Sequence, residues 1–170
     1  MKKQLSPILE EAETQIENEN ESIPTENEQE SRTDQEPQMP VFGYELIREV
    51  LLNDLLGKDS PHLLYWAGKK LARQFPLSQF QDIIIFFRSA GWGHLEILKE
   101  SKTEIELSLS GEYPARRLSL HADCNFQLEA GFLAEQCTLL KKCRSEATEE
   151  IKGRAKKVLF TVQWDPKDPV

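Results

Sequence analysis

Few side chains in this 170-residue sequence combine the type and the spacing needed for chemistry, and the three cysteines come first. His121 and Cys124 lie three apart, just ahead of a long apolar stretch, and Cys137 and Cys143 lie six apart toward its end. On a helix six residues turn through about 600°, which leaves those two sulfurs roughly 120° apart around the axis. No Cys-x-x-Cys pair occurs, and a structural zinc site needs four ligands. The pattern predicts core thiols and a surface histidine, and no metal.

A nucleophilic cysteine requires a base or a positive surrounding. Cys143 sits among Lys141, Lys142 and Arg144, and the simpler expectation is a helix-end residue among solvated charges. Gly91-Trp92-Gly93 precedes a strand pattern, whereas a phosphate-cradling loop opens a helix. Two glycines around a tryptophan predict a tight turn with the indole packed inward. Residues 141 to 157 hold seven basic side chains against three glutamates, with no aromatic interleaved. That argues against nucleic acid and for a solvated helix face. The last group is aromatic. Tyr44, Trp66, Trp92, Phe126 and Phe132 either line an apolar pocket between helices and sheet or fill a packed core.

The elements that would position these residues follow from periodicity. Tyr44, Ile47, Leu51 and Leu55 recur at helical spacing before Gly57. Ser60 and Pro61 open a second helix with an apolar stripe of Leu64, Ala67, Leu71 and Phe75, and with Lys69, Lys70 and Arg73 toward water. Gly68 inside that helix costs about 1 kcal/mol against alanine, which predicts a crowded helix crossing as compensation. A third helix follows Ser78, whose spacing to Gln81 fits a capping box, and carries Phe80, Ile83, Ile84 and Phe87.

Alternation then replaces the helical period. Leu95 and Ile97, followed by Ile105, Leu107 and Leu109, predict a hairpin turning at Glu100 to Lys102, with one apolar face. Leu118 to Leu120 reads as a short strand, Phe126 to Lys142 as a helix, Glu146 to Gly153 as a second helical piece, and Lys157 to Trp164 as a closing strand. The order argues an α+β fold, an antiparallel sheet with helices packed on one face.

Charge divides the chain near Pro40. Residues 1 to 40 hold eleven acidic and three basic side chains, a net of −8, and no aromatic or cysteine. Such a segment cannot bury enough apolar surface to offset its ordering entropy, so it is expected to be a disordered acidic tail. Within it, Ser6 and Pro7 precede Ile8, Leu9, Ala12 and Ile16 on one helical face, the pattern of a docking peptide or a transient helix. Residues 41 to 170 balance their charges and are long enough for one domain with one core. No secretory pattern opens the chain, and no apolar run approaches the length of a membrane span. The expected location is cytoplasmic.

Five separated blocks carry a resemblance: YELIREVLLNDLLG, LYWAGKKLARQFP, AGWGHLEIL, FQLEAGFLAEQ and the terminal VQWDPKDPV. Together they resemble the YslB family of Bacillus-type bacteria. That family is similar in turn to a superfamily of 4-vinyl-reductase-type domains, transport-complex components and haem-based nitric oxide sensors. The resemblance implies the ligand-binding fold of nitric-oxide signalling and Golgi transport. It implies no settled activity. The cysteine that relatives often carry near the last strand is missing from Gly153 to Phe160. None of His62, His94 and His121 comes with the Tyr, Ser and Arg set of the haem sensors. The expectation is therefore a non-enzymatic binding domain without cofactor, acting on a protein partner or as a homodimer. The alternative is a sensor or carrier with a small hydrophobic ligand in the helix–sheet pocket.

Overall fold

The computed structural model describes residues 40–121 and 124–170. The expected acidic tail, with its face of Ile8, Leu9, Ala12 and Ile16, lies outside these residues apart from Pro40. The chain divides after Leu55 into two compact units. The first contains α1 (Val41–Glu45), a π-helical turn over Leu46–Leu51, and most of α2 (Leu52–Leu56). The stripe of Ile47, Leu51 and Leu55 expected to be apolar core is exposed, and Glu45, Arg48 and Glu49 are buried instead. A π-helical turn takes an extra residue, so the 3.6-residue register does not carry through it.

The second unit holds the core. After a 3₁₀ turn at Gly57–Asp59 come α3 (Ser60–Gln74) and α4 (Phe80–Ser89). Gln79, in place of the expected Ser78, occupies the cap position of α4 and donates to Asp82 Oδ1 at 3.0 Å. Gly91 and Gly93 adopt φ of 69° and 128°, and the turn they form drives Trp92 into the core. β1 (His94–Glu100) and β2 (Glu104–Ser110) form the expected hairpin. Leu95, Ile105, Leu107 and Leu109 are buried, but Ile97 is half-exposed, on an edge strand whose register shifts between Ile97 and Lys99.

Two elements differ from the sequence expectation. Glu112–Leu120 is a helix, α5, and Leu118 is not in a strand. The Leu-Ser-Leu alternation is too short to separate the two periods, whereas buried Pro114 and Arg117 stand one turn apart. After α6 (Gln127–Lys141), Lys142 turns left-handed at φ 58° and the chain returns as a strand, β3 (Cys143–Lys152). Its glutamates read as helical, and its inward positions Ser145 and Ala147 carry no large apolar side chain. Pairing with β4 (Lys157–Pro169) from Lys152 to Cys143 overrides that local preference. β4 runs five residues past the expected Trp164.

The antiparallel sheet has the order β1-β2-β4-β3. Val158, Phe160, Val162 and Trp164 alternate into the core beside the buried residues of β2. α6 packs against β3 and β4 on this face and against α3 on its other side. Every residue from Glu129 to Cys137 is buried, which makes α6 the central helix. Where α3 crosses it, Gly68 and Gly131 interlock. A Cβ on Gly68 would stand 2.1 Å from the carbonyl oxygen of Leu128, and one on Gly131 would stand 1.9 Å from that of Tyr65. The crowded crossing expected from Gly68 is present.

Candidate functional site

A helix buried on every side must find partners for its polar residues, because an unpaired buried charge costs several kcal/mol. α6 carries Glu129, Glu135 and Gln136 inside its buried run. Gln136 bridges the α3–α4 connection, accepting from the Leu77 N–H at 3.2 Å and donating to the Phe75 carbonyl at 2.7 Å. Glu135 accepts from Arg73 Nε at 2.5 Å. Glu129 meets Arg117 of α5 at 3.2 Å, with both side chains at most 2% exposed.

The Arg117 cluster is structural in character. Its guanidinium lies 4.1 Å above the Phe126 ring and donates to the Asn125 carbonyl at 2.6 Å. Beside it, Glu149 of β3 accepts from the Phe126 N–H at 2.7 Å, at the start of α6. Burial pushes the Glu149 carboxyl up to about 6, against hydrogen bonds from Gln127 and Phe126 and with help from the charge of Glu129. A carboxyl raised on folding holds its proton more tightly in the folded chain. Stability from this group is therefore complete near pH 4.5 and falls as pH rises through about 6. Glu149→Gln is expected to remove that slope and to gain on the order of 1 kcal/mol at pH 7 relative to its effect at pH 4.5. Urea midpoints measured across this range test it, and a slope unchanged in the variant excludes Glu149 as its source.

The second polar assembly opens to solvent. A groove of about 440 Å³ runs between α3, α6 and the start of β3, bordered by Trp66, Lys69, Arg73, Glu135, Arg144 and Glu146. Lys69 was expected to face water, yet it is buried. Its ammonium donates to Glu146 Oε1 at 2.8 Å and to the Ser145 carbonyl at 3.4 Å, and stands 5.4 Å from the Tyr65 ring and 5.6 Å from that of Trp66. The Tyr65 hydroxyl donates to Glu146 Oε2 and accepts from the Ala147 N–H at 3.0 Å. Burial and the Glu146 carboxylate hold the Tyr65 phenol well above its ordinary value. Burial would raise Glu146, but the bonds from Lys69 and Tyr65 outweigh it and the carboxyl is lowered. The groove's wall is thus ionised and internally satisfied.

Of the aromatic residues singled out above, those of the second unit divide between core and surface. Phe126 and Phe132 are fully buried and Trp92 nearly so. Phe132 stacks on Phe86 with centroids 4.6 Å apart and meets Trp92 edge-on at 5.4 Å, within the core between helices and sheet. Trp66, in contrast, is 63% exposed and stands outside that space. Tyr44 is half-buried on α1, in the first unit. Ala67 and Phe75, assigned to the inner stripe of α3, are also exposed; Leu64, Gly68 and Ala72 form it instead. The groove residues Tyr65, Lys69 and Glu146, and the Arg117, Glu129 and Glu149 cluster, escaped sequence reasoning. One signal could have found part of them: acidic residues inside an otherwise apolar helix require cationic partners.

None of the three cysteines forms a disulfide, and Cys124 and Cys137 are buried. Burial pushes the Cys137 thiol up to about 12, which keeps it protonated. No group of three or more His, Cys, Asp or Glu side chains placed to hold a metal occurs among the described residues. No described helix is long and apolar enough to cross a membrane.

This fold is similar to that of a vinyl-4-reductase family protein from Methanocaldococcus jannaschii. The crystal structure of that protein matches with a TM-score of 0.55 at 18% identity, over 77% of this chain and 85% of that one. This places the chain in that α+β fold class. Within it, residues 41–163 match a family described as proteins of unknown function, DUF2507, and the chain belongs to that family. It is 47% identical over 135 residues to the uncharacterized protein YslB of Bacillus subtilis (strain 168), covering 79% of this chain and 91% of that relative.

Proposed function

We propose that this domain is a non-enzymatic, cytoplasmic interaction module that binds a protein partner through α3 and the groove beside it. The observation that carries this reading is Trp66, a tryptophan 63% exposed on a helix that also exposes Leu63. Exposed tryptophan and arginine near apolar neighbours are the residues that most often dominate protein interfaces. The stacked Phe86, Trp92 and Phe132 support a surface over an internal ligand, because their rings occupy the helix–sheet space a carrier would leave open. Among the described residues, the groove's carboxylates are engaged by Lys69, Tyr65 and Arg73.

A photoreactive benzoyl-phenylalanine at position 66, in the full chain and in cells, is expected to yield one discrete cross-linked adduct. The same residue at exposed Lys157, on β4, is expected to yield none. Absence of an adduct at 66, or the same adduct at both positions, would overturn the reading. Native mass spectrometry is expected to return the bare chain mass, whereas a bound apolar molecule would favour the carrier.

A further inference from the structure

α3 has two opposite stripes. At 100° per residue, Leu64, Gly68 and Ala72 point to α6, while Leu63, Trp66, Ala67, Lys70 and Arg73 share the outer side. Along this stripe an apolar half passes into a basic half over about 15 Å, three helical turns. The whole helix contains no Asp or Glu, in a chain whose net charge is −8. The acids nearby face cations of the same unit. Glu146 holds Lys69 and Tyr65, Glu135 holds Arg73 through Nε, and Asp168 stands 3.7 Å from Arg144 Nε. Lys70 is exposed, and the Arg73 and Arg144 side chains remain 59% and 73% exposed beside these acids. The surface offered outward is therefore Leu63 and Trp66 followed by Lys70, Arg73 and Arg144.

From this arrangement, and resting on the interaction reading above, we infer that the partner presents an acidic amphipathic helix that lays apolar residues on Leu63 and Trp66 and carboxylates against Lys70, Arg73 and Arg144. Helix-in-groove docking of this kind needs apolar anchors at spacings of three and four, and its charged flank sets orientation and specificity. A second copy docking through its own α3 fits less well, because that helix brings no acid to Lys70 or Arg73.

A fluorescent 16-residue peptide, with Leu at positions spaced three and four apart and Glu at most others, serves as the probe for the full chain. Expected are saturable binding that weakens as salt rises, and a loss of about tenfold or more in affinity for Trp66→Ala and for Lys70→Glu. Both substitutions lie on the exposed side, so unfolding midpoints matching the wild type are expected to accompany the loss. A counterpart with Lys in place of Glu is expected not to bind. Failure of the acidic peptide to bind, equal binding of the basic one, or unchanged affinity in both variants overturns the inference. So does a homodimer, seen by sedimentation of the full chain, that Trp66→Ala dissolves, or Trp66-dependent binding to vesicles of anionic phospholipid. A cross-linked adduct at position 66 alongside a failed peptide overturns only the acidic chemistry, and leaves the interaction reading standing.

Discussion

Gly131→Ala is expected to cost this protein more than about 3 kcal/mol of folding stability, despite alanine's better helix propensity. The added methyl would lie 1.9 Å from the Tyr65 carbonyl oxygen, 2.8 Å from its carbon and 3.0 Å from its Cα. These are backbone atoms of α3, so no side chain can swing away. The only relief is to part the two helices, and Gly68 shows how completely they are engaged. Its missing methyl would meet Leu128 O at 2.1 Å and Phe132 N at 2.8 Å from the other side. Parting α3 from α6 would open the core around Ala72, Ala130 and Ala134, all buried.

Propensity favours alanine by about 1 kcal/mol, whereas overpacking that displaces backbone costs 1–3 kcal/mol and sometimes more. Here the clash is far inside contact distance on both helices, so overpacking wins. Urea unfolding of Gly131→Ala and Gly68→Ala beside Gly153→Ala makes the comparison, because nothing lies within 4 Å of a Cβ on Gly153. A Gly131→Ala midpoint equal to that of the wild type would mean that the helices do not cross this closely in solution.

Arg117→Met is expected to be comparably damaging, at about 3–5 kcal/mol. Arg117 and Glu129 are 2% and 1% exposed, and their contact joins α5 to the first turn of α6. Removing the guanidinium breaks the buried contact with the Glu129 carboxyl and also deletes the bond to the Asn125 carbonyl. Breaking a buried pair costs more than the intact pair contributes, since paired buried ions add little net stability. The double variant Arg117→Met with Glu129→Leu is therefore expected to be more stable than Arg117→Met alone, although Glu129→Leu adds a second change. Chemical denaturation of both variants decides this. A double variant less stable than the single one would show that Glu129 is held by groups other than Arg117.

These two sites differ in how visible they were in the sequence. Gly68 could be singled out because a glycine inside a strong helical pattern is costly and requires compensation. Its counterpart Gly131 reads as a packing glycine of a buried helix, but nothing in that stretch names Gly68 as its partner. Arg117 was hidden by a wrong element, since a short alternation suggested a strand where α5 forms. Lys69 was assigned to solvent by helical position, yet Glu146, 77 residues away, draws it into a buried pair. Trp66 was grouped with aromatics that would line a pocket or fill a core, and the structure turns it outward.

Local pattern was sufficient wherever one face of an element is buried and the other solvated. The hairpin of β1 and β2, the core alternation of β4, the Gly91–Gly93 turn and the α+β class were all readable for that reason, because burial imposes a period on the residue types. Contacts remote in sequence decided the rest. β3 is a strand because β4 offers it a ladder, not because Cys143 to Lys152 prefers one. The charges of α6 are tolerable because α3 and α5 supply Arg73 and Arg117. The outer stripe of α3 became a surface only when Gly68 and Gly131 fixed which side of that helix faces inward. Such outcomes are set by which elements meet, and no periodicity within a single element records its partner.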